Sequence, residues 1–133
     1  MNFSWKRFKA DSSGATAVEG AFILPIFLLT LLIIVEACRG LSTNFMIDYA
    51  LDKTSRYAMV HSDATVLEIK TKLRDELTSL EEENIITLDV SEVVNADKTR
   101  STNISIAYNF EFIVPNGLLN DMTFSNEQNF LRF

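Results

Sequence analysis

Residues 12–35 read SSGATAVEGAFILPIFLLTLLIIV, and what the chain becomes depends on how one carboxylate, Glu19, is accommodated in that run. From Gly20 to Val35 no residue is charged, and Thr30 is the sole polar side chain. Those 16 residues fall short of the roughly 20 that a helix needs to cross a bilayer. Counted from Ala15 the run reaches 21 residues, a helix of about 31 Å against a hydrocarbon core of roughly 30 Å. The length points to a membrane span with Glu19 at its inner edge.

The flanking charges orient such a span. Upstream, Lys6, Arg7 and Lys9 stand against Asp11 alone, whereas residues 40–133 carry 8 basic and 15 acidic side chains, a net charge of −7. An excess of Lys and Arg marks the cytoplasmic side, so the short amino end stays inside and the acidic body is exported. An acidic body is unsuited to nucleic acid, whose phosphates require clustered Lys and Arg. The body contains no cysteine, so it must be held by its core or by neighbours. A cleaved secretory signal would fit the basic and apolar regions, but a signal peptidase reads small residues at the first and third places before its cut, and the exit IVEACRG sets Glu36 and Arg39 among its small residues. VEAC, with Cys38 last, has the outline of a lipoprotein box, broken by Glu36 two places before the cysteine and followed at once by Arg39.

Residues 1–11, MNFSWKRFKAD, form a basic leader with aromatic residues suited to an interface, and Ser12 and Ser13 supply a helix N-cap region. Pro25 is tolerated in a membrane helix, typically with a bend. Beyond the apolar run, Leu41, Phe45, Tyr49 and Ile47, Leu51, Ala58 recur at three-to-four spacing. The helix is therefore predicted to continue as an amphipathic stem to about Met59, about 65 Å in all. A stem of that kind needs something to pack against.

His61-Ser62-Asp63 marks a break, and Thr65-Val66-Leu67-Glu68 has the form of a capping box. The stripe Val66, Ile69, Leu73, Leu77, Leu80 predicts a second helix to about Leu80, frayed where Glu81, Glu82 and Glu83 oppose the dipole. Thereafter the period is two. Ile86, Leu88 and Val90 are expected on one face of a first strand, and a polar loop follows around residues 95–98. Ile104, Ile106, Tyr108, Phe110, Phe112 and Val114 are expected on one face of a second strand. Val114-Pro115-Asn116-Gly117 reads as a turn, and Met122 to Phe133 as a third strand. The expected fold is α+β: a long amino-terminal helix, a short helix, and a small antiparallel sheet whose apolar face the stem covers.

Enzyme chemistry finds little footing. His61 and Cys38 are the sole residues of their kinds, and neither a phosphate loop nor a metal-ligand spacing is present. The acids Asp75, Glu76 and Glu81–Glu83 oppose Lys70, Lys72 and Arg74, as on a solvated helix face. His61 reads as a helix-end residue and Cys38 as a small buried one. Neither catalysis nor a cofactor or metal is expected.

Glu19 stands apart. It can mark the start of the span and reach to the headgroups. Against this, Ala15, Thr16, Ala17 and Val18 are no charged anchors, and the nearest upstream base is Lys9, beyond the Ser-Ser-Gly stretch. A carboxylate at the bilayer edge needs a partner. If the chain were cut after Gly14, Ala15 would carry a new α-ammonium one helical turn from Glu19. The partner is then that amine or a neighbouring subunit's.

A basic leader, Gly14, four small or apolar residues, Glu19 and a long apolar helix together resemble a type IV prepilin amino terminus, with the peptidase junction at Gly14-Ala15. More closely, GATAVEGAFILPIFLLTLLIIVEACRG resembles the TadE-like family, pseudopilins of the tight-adherence (Flp pilus) secretion apparatus. That family typically has G-x-x-A-V-E-F-A, an L-P step and an I-I-E-F-G-R exit. The likeness covers about residues 6 to 60, including ALDKTSRYA. Gly20 departs from the aromatic that usually follows the Glu, and Cys38 stands where Gly is common.

The resemblance implies an inner-membrane precursor, cytoplasmic at its amino end and periplasmic beyond, cut by a prepilin peptidase. Its partners would be the lipid bilayer, other pilin subunits and an inner-membrane assembly platform. It implies a minor subunit that initiates, caps or supports Flp pilus assembly, with Glu19 guiding subunits into register. Glu36 and Arg39, three apart, would pair at the outer boundary. On this reading residues 1–14 are a leader, 15–60 span and stem, and 61–133 a small exported domain. The rival expectation is a membrane-anchored or lipoprotein accessory domain in which Gly14 and Glu19 have no special role.

Overall fold

The computed structural model describes residues 13–97, 99–113 and 121–132. Helix α1 (Ser13–Val60) runs 48 residues without interruption through Pro25, a rod of about 72 Å. Its most apolar window is only 6% buried. Beyond Val35 the helix changes character, because one face is now covered. Ile47, Ala50, Leu51, Thr54, Ser55 and Ala58 are buried. Small residues at 50, 54 and 58 recur every fourth position, which places them on one face and keeps the helix surface flat there.

A turn at residues 61–64 reverses the chain, with the Ala64 N–H donating to the His61 carbonyl at 3.0 Å. Helix α2 (Val66–Glu76) then opens on the expected capping box. The Glu68 N–H donates to Thr65 Oγ1 at 3.2 Å, and the Thr65 N–H donates to Glu68 Oε2 at 2.7 Å. The helix ends at Glu76, four residues before the expected Leu80. Its apolar stripe continues regardless, since Leu77 is buried and Leu80 packs at the edge of the core. A 3-10 turn (Glu82–Asn84) takes up the acidic triplet.

Strands β1 (Ile85–Val94), β2 (Arg100–Phe110) and β3 (Met122–Arg132) form an antiparallel meander with β2 in the centre. Ile104, Ile106, Tyr108 and Phe110 line the inner face as expected. Two expectations for the strands are corrected. A register shift between Ile85 and Thr87 brings Ile85 against the core and leaves Ile86 60% exposed; a bulge of this kind moves a side chain to the other face. Strand β2 ends at Phe110, so Phe112 packs from the segment beyond it. Val114 and the turn at 114–117 lie outside the described residues.

The stem covers the sheet chiefly at β3 and packs on α2. Cross-links reinforce the contact. Lys53 on α1 reaches Glu76 on α2 at 2.6 Å, and Lys72 reaches the same carboxylate at 2.7 Å. Those two hydrogen bonds, from Lys53 foremost, hold the Glu76 carboxyl below its ordinary range. Asn126 on β3 donates to Asn44 and Asp48 on the stem.

The far end of the sheet is fastened by Arg132, whose side chain is wholly buried. Its Nη2 donates to the carbonyls of Ser62 at 2.9 Å and Ala64 at 2.7 Å, and its Nη1 to Glu92 Oε1 at 3.0 Å. The α1–α2 turn thereby gains a charged donor for carbonyls that no helix satisfies. Read as sequence, Arg132 is one polar residue near the end of an uncertain strand, and nothing in its spacing marks it as buried.

Candidate assembly and anchoring site

The residues singled out in the sequence fall in two places along α1. Gly14 and Glu19 lie near its start, both exposed. Among the described residues a Cβ placed on Gly14 or on Gly20 would meet nothing within 4 Å, so they give no steric reason for glycine at either position. Among the described residues Glu19 has no ion-pair partner. The helix places Ala15 and Glu19 one turn apart.

Glu36 and Arg39 lie where the helix passes from its exposed half to its packed half. Glu36 is only 1% exposed, and Arg39 Nη1 donates to its two oxygens at 2.9 and 2.8 Å. A third hydrogen bond arrives from the segment beyond β2: the Ile113 N–H donates to Glu36 Oε2 at 3.3 Å. A buried carboxylate is tolerable only with such partners. The carboxylate therefore ties the end of the β2 segment to the helix at the point where the apolar run stops. The Arg39 guanidinium also lies over the Phe110 ring, 5.0 Å from its centroid, within cation–π range.

Next to this pair, Gly40 lets the helix approach an aromatic cluster. A Cβ there would stand 3.7 Å from both the Phe110 and Phe124 rings, at ordinary van der Waals contact. Phe110 meets Phe112 edge-on at 5.1 Å and Phe124 tilted at 5.8 Å. The cluster was half legible: Phe110 and Phe112 belong to the alternating run, whereas Phe124 and the Ile113 amide carry no local signal of the helix they meet.

Cys38 is exposed, not buried as its residue type suggests, because it faces away from the sheet. It lies in a shallow apolar depression with Leu41, Phe45 and Tyr49. The expected stem pattern thus divides into two faces. Ile47, Leu51 and Ala58 are covered by the body, and Leu41, Phe45 and Tyr49 are not. His61 closes α1 as a helix-end residue, stacked on Tyr57 at 4.3 Å. Among the described residues no group of three or more His, Cys, Asp or Glu side chains converges to hold a metal.

Among the described residues these features give one helix long and apolar enough to cross a membrane, packed through its stem against a small α+β body. Over residues 14–56 it matches a family model described as TadE-like protein, the family its sequence resembles. The match begins at Gly14, includes Glu19, Glu36 and Arg39, and runs through the stem. No curated protein and no solved structure matches the chain. The apolar helix is consistent with a single-pass membrane architecture.

Proposed function

We propose that this chain is a minor pseudopilin that supports assembly of a Flp/Tad-type pilus, cut between Gly14 and Ala15 by a prepilin peptidase. One observation carries the reading: the TadE-like match starts at Gly14 and spans the helix that bears an exposed Glu19. Glycine within a helix is destabilising by roughly 0.5–1 kcal/mol relative to alanine, and no contact among the described residues requires it at position 14. A peptidase that must reach the backbone does. Cleavage releases an ammonium on Ala15 one turn from Glu19, on its own chain or on a neighbouring subunit, and a carboxylate at the bilayer edge gains the partner it needs.

Subunits then leave the inner membrane through an assembly platform as their apolar helices exchange lipid for contact with other helices. The amino end stays cytoplasmic and the acidic body is periplasmic. Throughout, the Glu36–Arg39 pair keeps the body fixed on its helix.

Mass measurement on membrane-extracted protein tests the reading directly. Loss of residues 1–14 is expected; an acylated Cys38 would instead indicate a lipoprotein, and an intact chain a plain anchor. Glu19→Gln is expected to insert normally and to fail in supporting piliation.

A further inference from the structure

The lower end of the sheet carries a lip of apolar surface that the described residues leave exposed. Ile113 is 66% and Met122 51% exposed, and between Met122 and α1 runs a groove of about 520 Å³. Its walls include Ile33, Ala37, Leu41, Phe112, Met122 and Phe124. Glu36 also borders it, but its carboxylate is taken up by Arg39 and the Ile113 N–H. The polar end lies at Asn44, which accepts from Asn126 at 3.2 Å, further out along the stem. Apolar wall therefore faces the span, and polar groups face away from it.

The level of this lip along the helix decides what covers it. A crossing of roughly 20 residues counted from Ala15 to Glu19 puts the outer hydrocarbon edge between Val35 and Arg39. Glu36 lies in that interval and bonds the Ile113 amide directly, so Ile113 stands at the same height. Ile33, a wall of the groove, is itself part-exposed within the apolar run, as are its neighbours Ile34 and Val35. Arg39, part-exposed and lying over Phe110, supplies the basic and aromatic pairing that favours a headgroup layer. The next basic residue along the helix is Lys53.

We propose that the lip formed by Phe112, Ile113, Met122 and Phe124 rests in the outer headgroup–acyl boundary, with lipid filling the groove beside Gly40. The body is then seated on the membrane, and Arg39 meets lipid phosphate. This inference rests on α1 being a membrane span and is independent of processing at Gly14.

Tryptophan placed at the exposed positions tests it in the full chain. In a Trp5→Phe background, which removes the single native tryptophan, Ile113→Trp and Met122→Trp are reconstituted into phosphatidylethanolamine–phosphatidylglycerol vesicles. Lipids brominated near the headgroup end of the chain serve as quenchers, and Ile26→Trp reports the depth of the span. Blue-shifted emission and loss of roughly half its intensity to shallow bromines are expected at positions 113 and 122, as for an interfacial tryptophan. The effect should not change with the protein-to-lipid ratio. Water-like emission without quenching at those positions, while Ile26→Trp is quenched by deep bromines, overturns the proposal. Protection that arises only at high protein-to-lipid ratio assigns the groove to a second copy and overturns it too. Absence of quenching at all three positions removes the span and the proposal with it.

Discussion

Between Ala17 and Val35, α1 exposes nearly every described side chain, and between Glu36 and Ala58 the same unbroken helix buries a line of them against a sheet and a second helix. Both halves are rich in apolar residues, so composition alone does not separate them. What differs is where the partner is. The packed half is matched inside the molecule by Ile69, Leu73, Ile104, Ile106 and Phe130. The exposed half has its surroundings, and whatever Gly14 and Glu19 answer to, outside it. Substitutions in the packed half should change the folding of the body, and substitutions in the exposed half should change insertion or assembly while the body stays as it is.

The largest effect is expected where the packed half is fastened. Arg132→Met leaves Glu92 without its nearest donor and the carbonyls of Ser62 and Ala64 unpaired. Removing one partner from such a buried set is destabilising by about 3–5 kcal/mol. The fall should be visible in the urea midpoint of the detergent-solubilised protein, followed by tyrosine fluorescence. A midpoint within error of the wild type would show that the α1–α2 turn holds without this residue.

A sharper comparison sets two isoleucines of the same helix against each other. Ile47 is wholly buried, and Ile26 is exposed. Ile47→Ala should destabilise the body by about 2–5 kcal/mol through lost burial and the cavity left behind. Ile26→Ala should leave that stability within about 0.5 kcal/mol of the wild type. Equal losses at the two sites would break the division between the halves.

The two acids make a third pair, carrying the same chemical change. Glu36→Gln keeps an acceptor for the Ile113 N–H but removes the charge that holds Arg39, and should cost the body about 1–3 kcal/mol, as for a charge-assisted bond. Glu19→Gln should cost the body nothing measurable, since no described group of the body touches it. Hydrogen exchange at the Ile113 amide distinguishes them, with faster exchange expected for Glu36→Gln alone.

These pairs also mark how far the sequence could be read. The long helix, the capping box at Thr65 and Glu68, and the inner face of β2 follow from periods of 3.6 and two, which are local properties. The cover of the sheet by the stem follows from each having one unsatisfied apolar face. What escapes is everything that depends on contacts between distant residues. The shift at Ile85–Thr87 exchanges which isoleucine faces inward, with no change in composition. The burial of Arg132 depends on carbonyls some seventy residues earlier in the chain. Cys38 and Leu41 look like core by residue type and are surface because the body covers only one face of the stem. At the candidate site, Glu36 with Arg39 could be read from a spacing of three, but its third hydrogen bond, from the Ile113 N–H, could not.

The smallest effect expected lies at the join between α1 and α2, and its sign is fixed by Glu76. Lys53 and Lys72 both donate to this carboxylate, which holds its pKa below the ordinary 4.5. A group whose pKa is lower folded than unfolded binds protons more readily when unfolded. Its contribution is therefore complete above pH 4.5 and is lost as pH falls through the depressed value. Both lysines are part-exposed, so the bond is partly screened and its loss should loosen α2 without unfolding the sheet. Hydrogen exchange should show amides of Val66–Glu76 losing protection below pH 4.5 while those of Ile104 and Ile106 keep theirs. Raised salt at neutral pH should produce a weaker version of the same change. If α2 loosens already between pH 7 and 5, or if Glu76→Gln leaves the acid response intact, the join is controlled by another group. The stem then keeps its second helix through apolar packing by Ile69 and Leu73 alone.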